Sequence, residues 1–358
     1  MQHRIDTGLM LAVVSILAAS LVNLYGVSSA VGSGLLMRQA IWGVIGLALL
    51  WACSFIRATY WEKAAPKIYA LCLIALVAVL VFGQVRGGTR GWFVLGAVSL
   101  QPSEFARLGT MLMVAAFLGK REEDRLDLSA FLIVSAIVAV PVGLVLLEPD
   151  LGVALTFGPA LVIGWWLGGL RPRVWVVIGL LSLITAGVAW TTLLKPYQKE
   201  RVLTVLDHDR DPYGTGYQVR QSRIAVGSGG LSGEGIGRGS QSVLRFLPAQ
   251  HTDFAFAAWA EGTGFIGGSA LLFAFGIILL RLGILTDRTE QHFDLSFAAV
   301  VFAWLAFQII VNLGMVLGWL PTTGITLPLF SYGGSSVIST CATLGIVQSI
   351  WRHRFVNQ

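Results

Sequence analysis

Apolar runs of about twenty residues recur along the whole chain, and this recurrence limits what it can fold into. A hydrocarbon core of about 30 Å is crossed by about 20 helical residues. In lipid every backbone polar group must be paired internally, so such runs are helices or the strands of a closed barrel. Alternation with a period of two is absent, which leaves helices. The runs are Thr7–Gly26, Gln39–Ile56, Lys67–Gly83, Glu104–Gly119, Leu128–Leu147 (with a kink expected at Pro141), Leu151–Leu170, Val174–Leu194, Phe254–Leu282, Leu295–Gly318 and Gly333–Trp351. Phe254–Leu282 is longer than a bilayer needs, so it divides into a short lead-in helix to about Gly264 and a span. Only 12% of the 358 residues are charged, against roughly a quarter in soluble domains. The expected architecture is an all-α, polytopic integral membrane protein, a single domain over 1–358. It has about ten transmembrane helices and one large extracytoplasmic loop, about 195–252.

The Lys and Arg residues of short loops fix the orientation. One set of loops holds Arg4, Arg57, Lys63, Lys67, Lys120, Arg121, Arg125, Arg171, Arg173, Arg281, Arg288, Arg352 and Arg354; the opposite short loops hold only Arg38, Arg86 and Arg90. Both termini are therefore expected in the cytoplasm. No cleavable signal peptide is expected, since the first run is long enough to span. The net charge of +6 suits anionic lipid or a phosphate-bearing lipid and not nucleic acid. Cys53, Cys72 and Cys341 lie inside apolar runs and read as packing residues.

The polar groups gather on the outer side. Gln250, His251, Thr252 and Asp253 run directly into an apolar helix. An acid at such a mouth is costly to desolvate and is a functional candidate; the alternative is an N-cap. Glu104 and Arg107, three apart, share a helical face at the start of the fourth run, either as a self-neutralising pair or as cavity lining. Glu148 and Asp150 flank Pro149, with Asp150 favoured as an N-cap. The run Ser331–Ser336 offers hydroxyls and amides, or mere capping. Gly227 to Gly239 is glycine-rich without Walker spacing, so it is either an anion cradle or a loop of tight turns. Arg201, Arg210, Arg220, Arg223, Arg238 and Arg245 suit phosphate, or pair locally with Asp207, Asp209 and Asp211. The polar, glycine-rich stretch Gln84–Ser103 cannot cross lipid, and its Gly91–Gly96 segment is expected to lie flat at the interface.

Five motifs together resemble one family, the SEDS proteins (shape, elongation, division and sporulation). They are Gln101-Pro102-Ser103-Glu104, Pro149-Asp150-Leu151-Gly152, the segment Tyr213 to Gly239, His251-Thr252-Asp253-Phe254, and Ser331-Tyr332-Gly333-Gly334-Ser335. The match spans nearly the whole chain and is most like the elongation member, with the division member as the near alternative. The resemblance implies a ten-helix enzyme of the bacterial inner membrane. It would polymerise lipid II into glycan strands carried on undecaprenyl pyrophosphate, beside a class B penicillin-binding protein. It implies Asp253 as the essential aspartate and Glu104 as the buried glutamate. Arg107 stands where the family usually has lysine, which keeps the charge. Glu148 stands where the family commonly has glutamine, which argues against chemistry there. Arg38, Arg90, Arg107, Asp150, Arg201, Arg223, Gln250, His251, Thr252, Ser331 and Ser335 are the candidates for lining the substrate cavity. No cofactor is implied; a divalent cation, if the reaction uses one, would sit near Asp253. The competing functions are a lipid II flippase and a non-catalytic scaffold.

The orientation has a direct test. A cysteine introduced at Ser228 is expected to react with an impermeant thiol reagent added outside intact cells, and one at the C-terminus is expected not to. The reverse pattern would overturn the topology.

Overall fold

The computed structural model describes residues 5–31, 34–86, 88–96, 98–121, 126–194, 196–207, 211 and 214–353. Arg4, Arg125, Lys195, Asp209, Arg210, Tyr213 and Arg354, named above, lie outside them. The chain is mostly helical. The order is α1 (Thr7–Val31), α2 (Gly34–Phe55), α3 (Ala58–Phe82), three short strands, α4 (Pro102–Gly119), α5 (Leu128–Leu147), α6 (Leu151–Leu155), α7 (Gly158–Leu167), α8 (Pro172–Val188), α9 (Pro196–Leu206), α10 (Thr215–Ser228), α11 (Ser240–Val243), α12 (Ala255–Asp287), α13 (His292–Val316) and α14 (Gly334–His353). Among the described residues seven helices, α1, α2, α3, α5, α8, α12 and α13, are long and apolar enough to cross a membrane. With α4, α14 and the broken α6–α7 segment they occupy, in order, the ten expected positions.

Burial explains why α4 and α14 can be polar. The first carries Ser103, Glu104, Arg107 and Thr110, and the second Ser335, Ser339, Thr340, Thr343, Gln348 and Ser349, all buried. These helices form the middle of the bundle, α14 packed chiefly on α2, and α4 on α3 and α13. Polar side chains facing a bundle interior avoid lipid and find partners there. In contrast α8 has no buried residue at all.

Two expectations are corrected. The stretch Gln84–Ser103 does not lie flat as a surface segment. It forms a three-stranded antiparallel sheet, β1 (Gln84–Arg86), β2 (Thr89–Leu95) and β3 (Val98–Leu100), in the order β1-β2-β3. Gly88 (φ 87°) and Gly96 (φ 60°) make the reversals, where only glycine is unstrained. The region 195–252 is not an open loop either: it holds α9, α10 and α11, and a π-helical turn, Ala189–Leu193, precedes it. The sixth run is broken between α6 and α7, where Pro159 takes the first turn of α7.

The division of the eighth run falls where its length suggested. Gly264 has φ 67° and ψ −164° inside α12, a conformation open essentially to glycine alone. The glycine-rich loop fills the break. The N–H of Phe265 donates to the Gly230 carbonyl (2.8 Å), and those of Glu234 and Gly235 donate to the carbonyls of Glu261 and Gly262 (both 3.0 Å). These amides are engaged with backbone, which removes them from an anion cradle. A β-carbon at Gly264 would stand 2.3 Å from the Gly233 nitrogen and 2.6 Å from the Leu231 oxygen. Gly264→Ala is therefore expected to destabilise the protein by about 1–3 kcal/mol from backbone strain alone, read as a lower thermal midpoint in detergent. An unchanged midpoint would mean that the break is not held by this contact.

Candidate active site

Asp253 occupies the turn before α12. It is not the cap of that helix: the N-cap position is Phe254, with no side-chain cap. The carboxylate is thus left for other work, while the backbone around it is braced. Asn312 of α13 donates to the carbonyls of Asp253 (2.9 Å) and Ile325 (2.8 Å). The Ser331 hydroxyl donates to the Thr252 carbonyl (2.6 Å) and accepts from the Leu327 N–H (2.9 Å). The Tyr332 N–H donates to the His251 carbonyl (2.8 Å), and their rings lie 5.8 Å apart. Gln39 of α2 donates to the Ser331 carbonyl and accepts from the Gly333 N–H, each at 3.2 Å. The motifs 250–253 and 331–335 are therefore one braced unit.

The segment 321–325 brings a second acid to this unit. A β-carbon on Gly152 would stand 2.1 Å from the Thr323 carbonyl oxygen, and one on Gly324 would stand 3.7 Å from an Asp253 carboxylate oxygen. Asp150, two residues before Gly152, is the N-cap of α6 and accepts from the Val153 N–H (3.0 Å), as its sequence context suggested. Gln101 also donates to it (3.5 Å). Burial raises the Asp253 pKa; the Thr252 hydroxyl and Arg201 pull it down, and Asp150 pushes it up. Burial likewise raises Asp150, which its bond from Val153 lowers, Glu104 raises and Arg201 lowers. Arg201, half-buried on α9, thus lies within electrostatic reach of both acids.

Below the mouth lies the ion pair. Arg107 and Glu104 are 2% and 5% exposed, and Arg107 donates to both carboxylate oxygens of Glu104. The guanidinium lies 4.4 Å from the centroid of Trp304 on α13 and reaches the Thr156 hydroxyl (3.4 Å). The Ser339 hydroxyl of α14 donates to Glu104 (3.2 Å). Four parts of the bundle thus meet on one pair of charges.

The other expected residues divide. Gln250 is buried, and His251, Thr252 and Asp253 are half-buried around the turn. Burial lowers the His251 pKa. The Ser331 and Ser335 hydroxyls hold loops together, Ser335 by accepting from the Gln101 N–H (2.9 Å). Arg38, Arg90 and Arg223 are exposed on α2, β2 and α10. Among the described residues no group of three or more His, Cys, Asp or Glu side chains could hold a metal ion.

The family model of the FtsW, RodA and SpoVE cell cycle proteins matches residues 4–355. The chain belongs to this family. Like other SEDS chains it has curated relatives along its whole length: it is 36% identical over 353 residues to MrdB, a peptidoglycan glycosyltransferase of Escherichia coli strain K12, covering 98% of this chain and 94% of that one. A chain from a solved complex, described as the structural coordination of polymerization and crosslinking by a peptidoglycan synthase complex, superposes with a TM-score of 0.84. It shares 37% identity and covers 98% of this chain and 99% of its own. The crystal structure of the Thermus thermophilus rod shape determining protein RodA gives a TM-score of 0.73 at 33% identity, covering 98% of each chain.

Several residues of this SEDS site lie outside the sequence candidates. Gln39 and Asn312 were visible only as lone amides inside apolar runs, a signal of function or bracing in membrane helices. Glu261 is buried inside α12 and accepts from the Gln241 N–H (2.7 Å), the Ser242 N–H (3.0 Å) and the Ser242 hydroxyl, so it caps α11. Glu148 is fully buried, with neither carboxyl oxygen hydrogen-bonded among the described residues.

The ion pair predicts a non-additive mutant cycle. Glu104→Gln or Arg107→Gln alone leaves a buried charge unpaired and is expected to cost about 3–5 kcal/mol. The double variant is expected to be closer to the parent than the sum of the singles, measured by thermal midpoint and membrane expression. An additive double would mean that the two charges are not coupled.

Proposed function

We propose that this protein is a peptidoglycan glycosyltransferase that polymerises lipid II, with Asp253 as its general base. One observation carries the reading: a half-buried carboxylate at the outer mouth of the bundle that does not cap α12, on a backbone braced by Asn312 and Ser331. The acceptor is the 4-hydroxyl of the N-acetylglucosamine of incoming lipid II. Asp253 takes its proton as the oxygen attacks the anomeric carbon of the growing strand. The bond from that carbon to the pyrophosphate breaks, undecaprenyl pyrophosphate leaves, and the anomeric centre is inverted. Arg201 faces the same space and stabilises the negative charge on the departing pyrophosphate. Burial chiefly raises the Asp253 pKa, and the Thr252 hydroxyl, Arg201 and Asp150 adjust it, so desolvation is what makes the carboxylate more basic.

The partner in this reading is a class B penicillin-binding protein that crosslinks the strands, a role supported by the likeness to a chain of a peptidoglycan synthase complex. In this reading the substrate binds between Asp253, Asp150 and Arg201, which act on one another electrostatically, with Gln250, His251 and Thr252 beside it. The membrane is the bacterial inner membrane, with both termini cytoplasmic. A flippase reading is separated by one assay: glycan polymer made from lipid II in detergent, with no sealed bilayer, cannot come from flipping.

Asp253→Asn keeps size and polarity and removes the base. The variant is expected to fold, keep its partner and lose about 10²–10⁴-fold in polymerisation rate. Polymer length on gels and the thermal midpoint are measured on the same preparation. Near-normal polymer from the folded variant would remove Asp253 from the mechanism.

A further inference from the structure

Glu148 is the C-cap of α5 and is 0% exposed, and neither of its carboxyl oxygens is hydrogen-bonded among the described residues. What covers it is the hairpin. A β-carbon on Gly91 of β2 would stand 2.6 Å from a carboxyl oxygen of Glu148, so only the bare glycine backbone fits over it. The Arg90 N–H donates to the Glu148 carbonyl at 3.3 Å. On the other side Pro149 leads directly to Asp150, the N-cap of α6, which acts electrostatically on Asp253. The α6 side is fixed by the bonds of Asp150 with Val153 and Gln101; the hairpin, which also packs on α3, α4 and α14, meets Glu148 through one long backbone bond and the glycine contact.

We propose that Glu148 is a positioning residue that, as a neutral acid, seats the β1–β3 hairpin on the α5–α6 junction and so holds Asp150 in place beside the cavity. Among the described residues a carboxylate in this pocket has no hydrogen-bond donor. Its ionisation must be answered by movement that admits water, and the β2 backbone over Gly91 is the part in contact with the carboxyl. The charges near it do not relieve this. Asp150 on the α6 side acts on Glu148 and repels its ionised form, and the Arg90 side chain on β2 is exposed. Burial, then Asp150, pushes the Glu148 carboxyl up to about 8, so the neutral form prevails at neutral pH. The consequence for activity rests on the polymerase reading above.

The test compares the parent with Glu148→Gln, which is the same shape and cannot ionise. Initial polymerisation rates are measured with the partner transpeptidase on lipid II between about pH 6 and about pH 9.5. The ratio of variant to parent is expected to be near one below about pH 7. It is expected to rise about tenfold one unit above a midpoint of about 8. A second readout needs no activity. The folded-state pKa is raised from 4.5 to about 8, so the stabilisation from the neutral acid is complete below 4.5 and is lost as pH rises through about 8. The thermal midpoint of the variant relative to the parent should therefore climb across that window. A flat rate ratio overturns the proposal whether or not the midpoints diverge, because the acid would then titrate without positioning anything. If neither protein makes polymer, the failure falls on the polymerase reading, and the midpoints alone decide whether Glu148 is held neutral. Gly91→Ala, which places a methyl against the carboxyl, should lower the rate several-fold at every pH and cost nothing further in a Glu148→Ala background. Equal losses in both backgrounds would also overturn the contact.

Discussion

A pair of opposite charges buried among membrane helices, Glu104 with Arg107, sets the terms for the rest of the bundle. Two ions out of water are tolerated only when their geometry is held and their remaining polar atoms find partners. Here the holding is shared: α13 supplies the face of Trp304, α14 supplies Ser339, and the broken α6–α7 segment supplies Thr156. Each contribution fixes the depth of one helix relative to α4. The interruption after α6 is part of this arrangement, because Thr156 stands at the C-cap of α6 and reaches inward from there. The polar character of α4 and α14, which lowers their hydropathy, follows from their position at the centre.

Above the pair, neutral and charged groups have separate duties. Amides and hydroxyls of Gln39, Asn312, Ser331 and Ser335 are tied to backbone atoms. The charged groups Asp253, Asp150 and Arg201 act on one another electrostatically, with Asp150 also fixed as the N-cap of α6. A base works best when its position is fixed by something other than its own side chain, and the bracing of the Asp253 carbonyl by Asn312 does this.

Much of the fold was legible in the sequence because lipid imposes one rule on every span. Run length alone located the break at Gly264, since a helix of 33 residues exceeds the bilayer. The β-sheet was not legible: β1 and β3 have three residues each, too short for alternation to show, and their reversals depend on backbone angles at Gly88 and Gly96. The helices within 195–252 escaped because their apolar residues meet protein over only part of their surface. At the site, the acids and the Glu104–Arg107 pair stood out as charges in apolar surroundings. That Ser331 and Ser335 also brace the loops was not legible, because hydrogen bonds to distant backbone leave no trace in local sequence. Arg38, Arg90 and Arg223 were grouped with the cavity by charge type, and charge type does not determine which way a residue faces.

The helix α8 shows what happens when a span lacks such ties. Its side chains make only partial contact with the bundle, through Trp175 and Ile178 near its start, against Leu126, Ala130, Val134 and Trp165. Beyond that the surrounding medium is its packing partner. Its tilt then depends on that contact and on the anchors at its start, Arg171, Arg173 and Trp175, of the kind that fix helices at a membrane surface. Because α8 leads through the π-helical turn towards α9 and Arg201, the cation that acts on both acids is carried by the span with the fewest ties to the bundle.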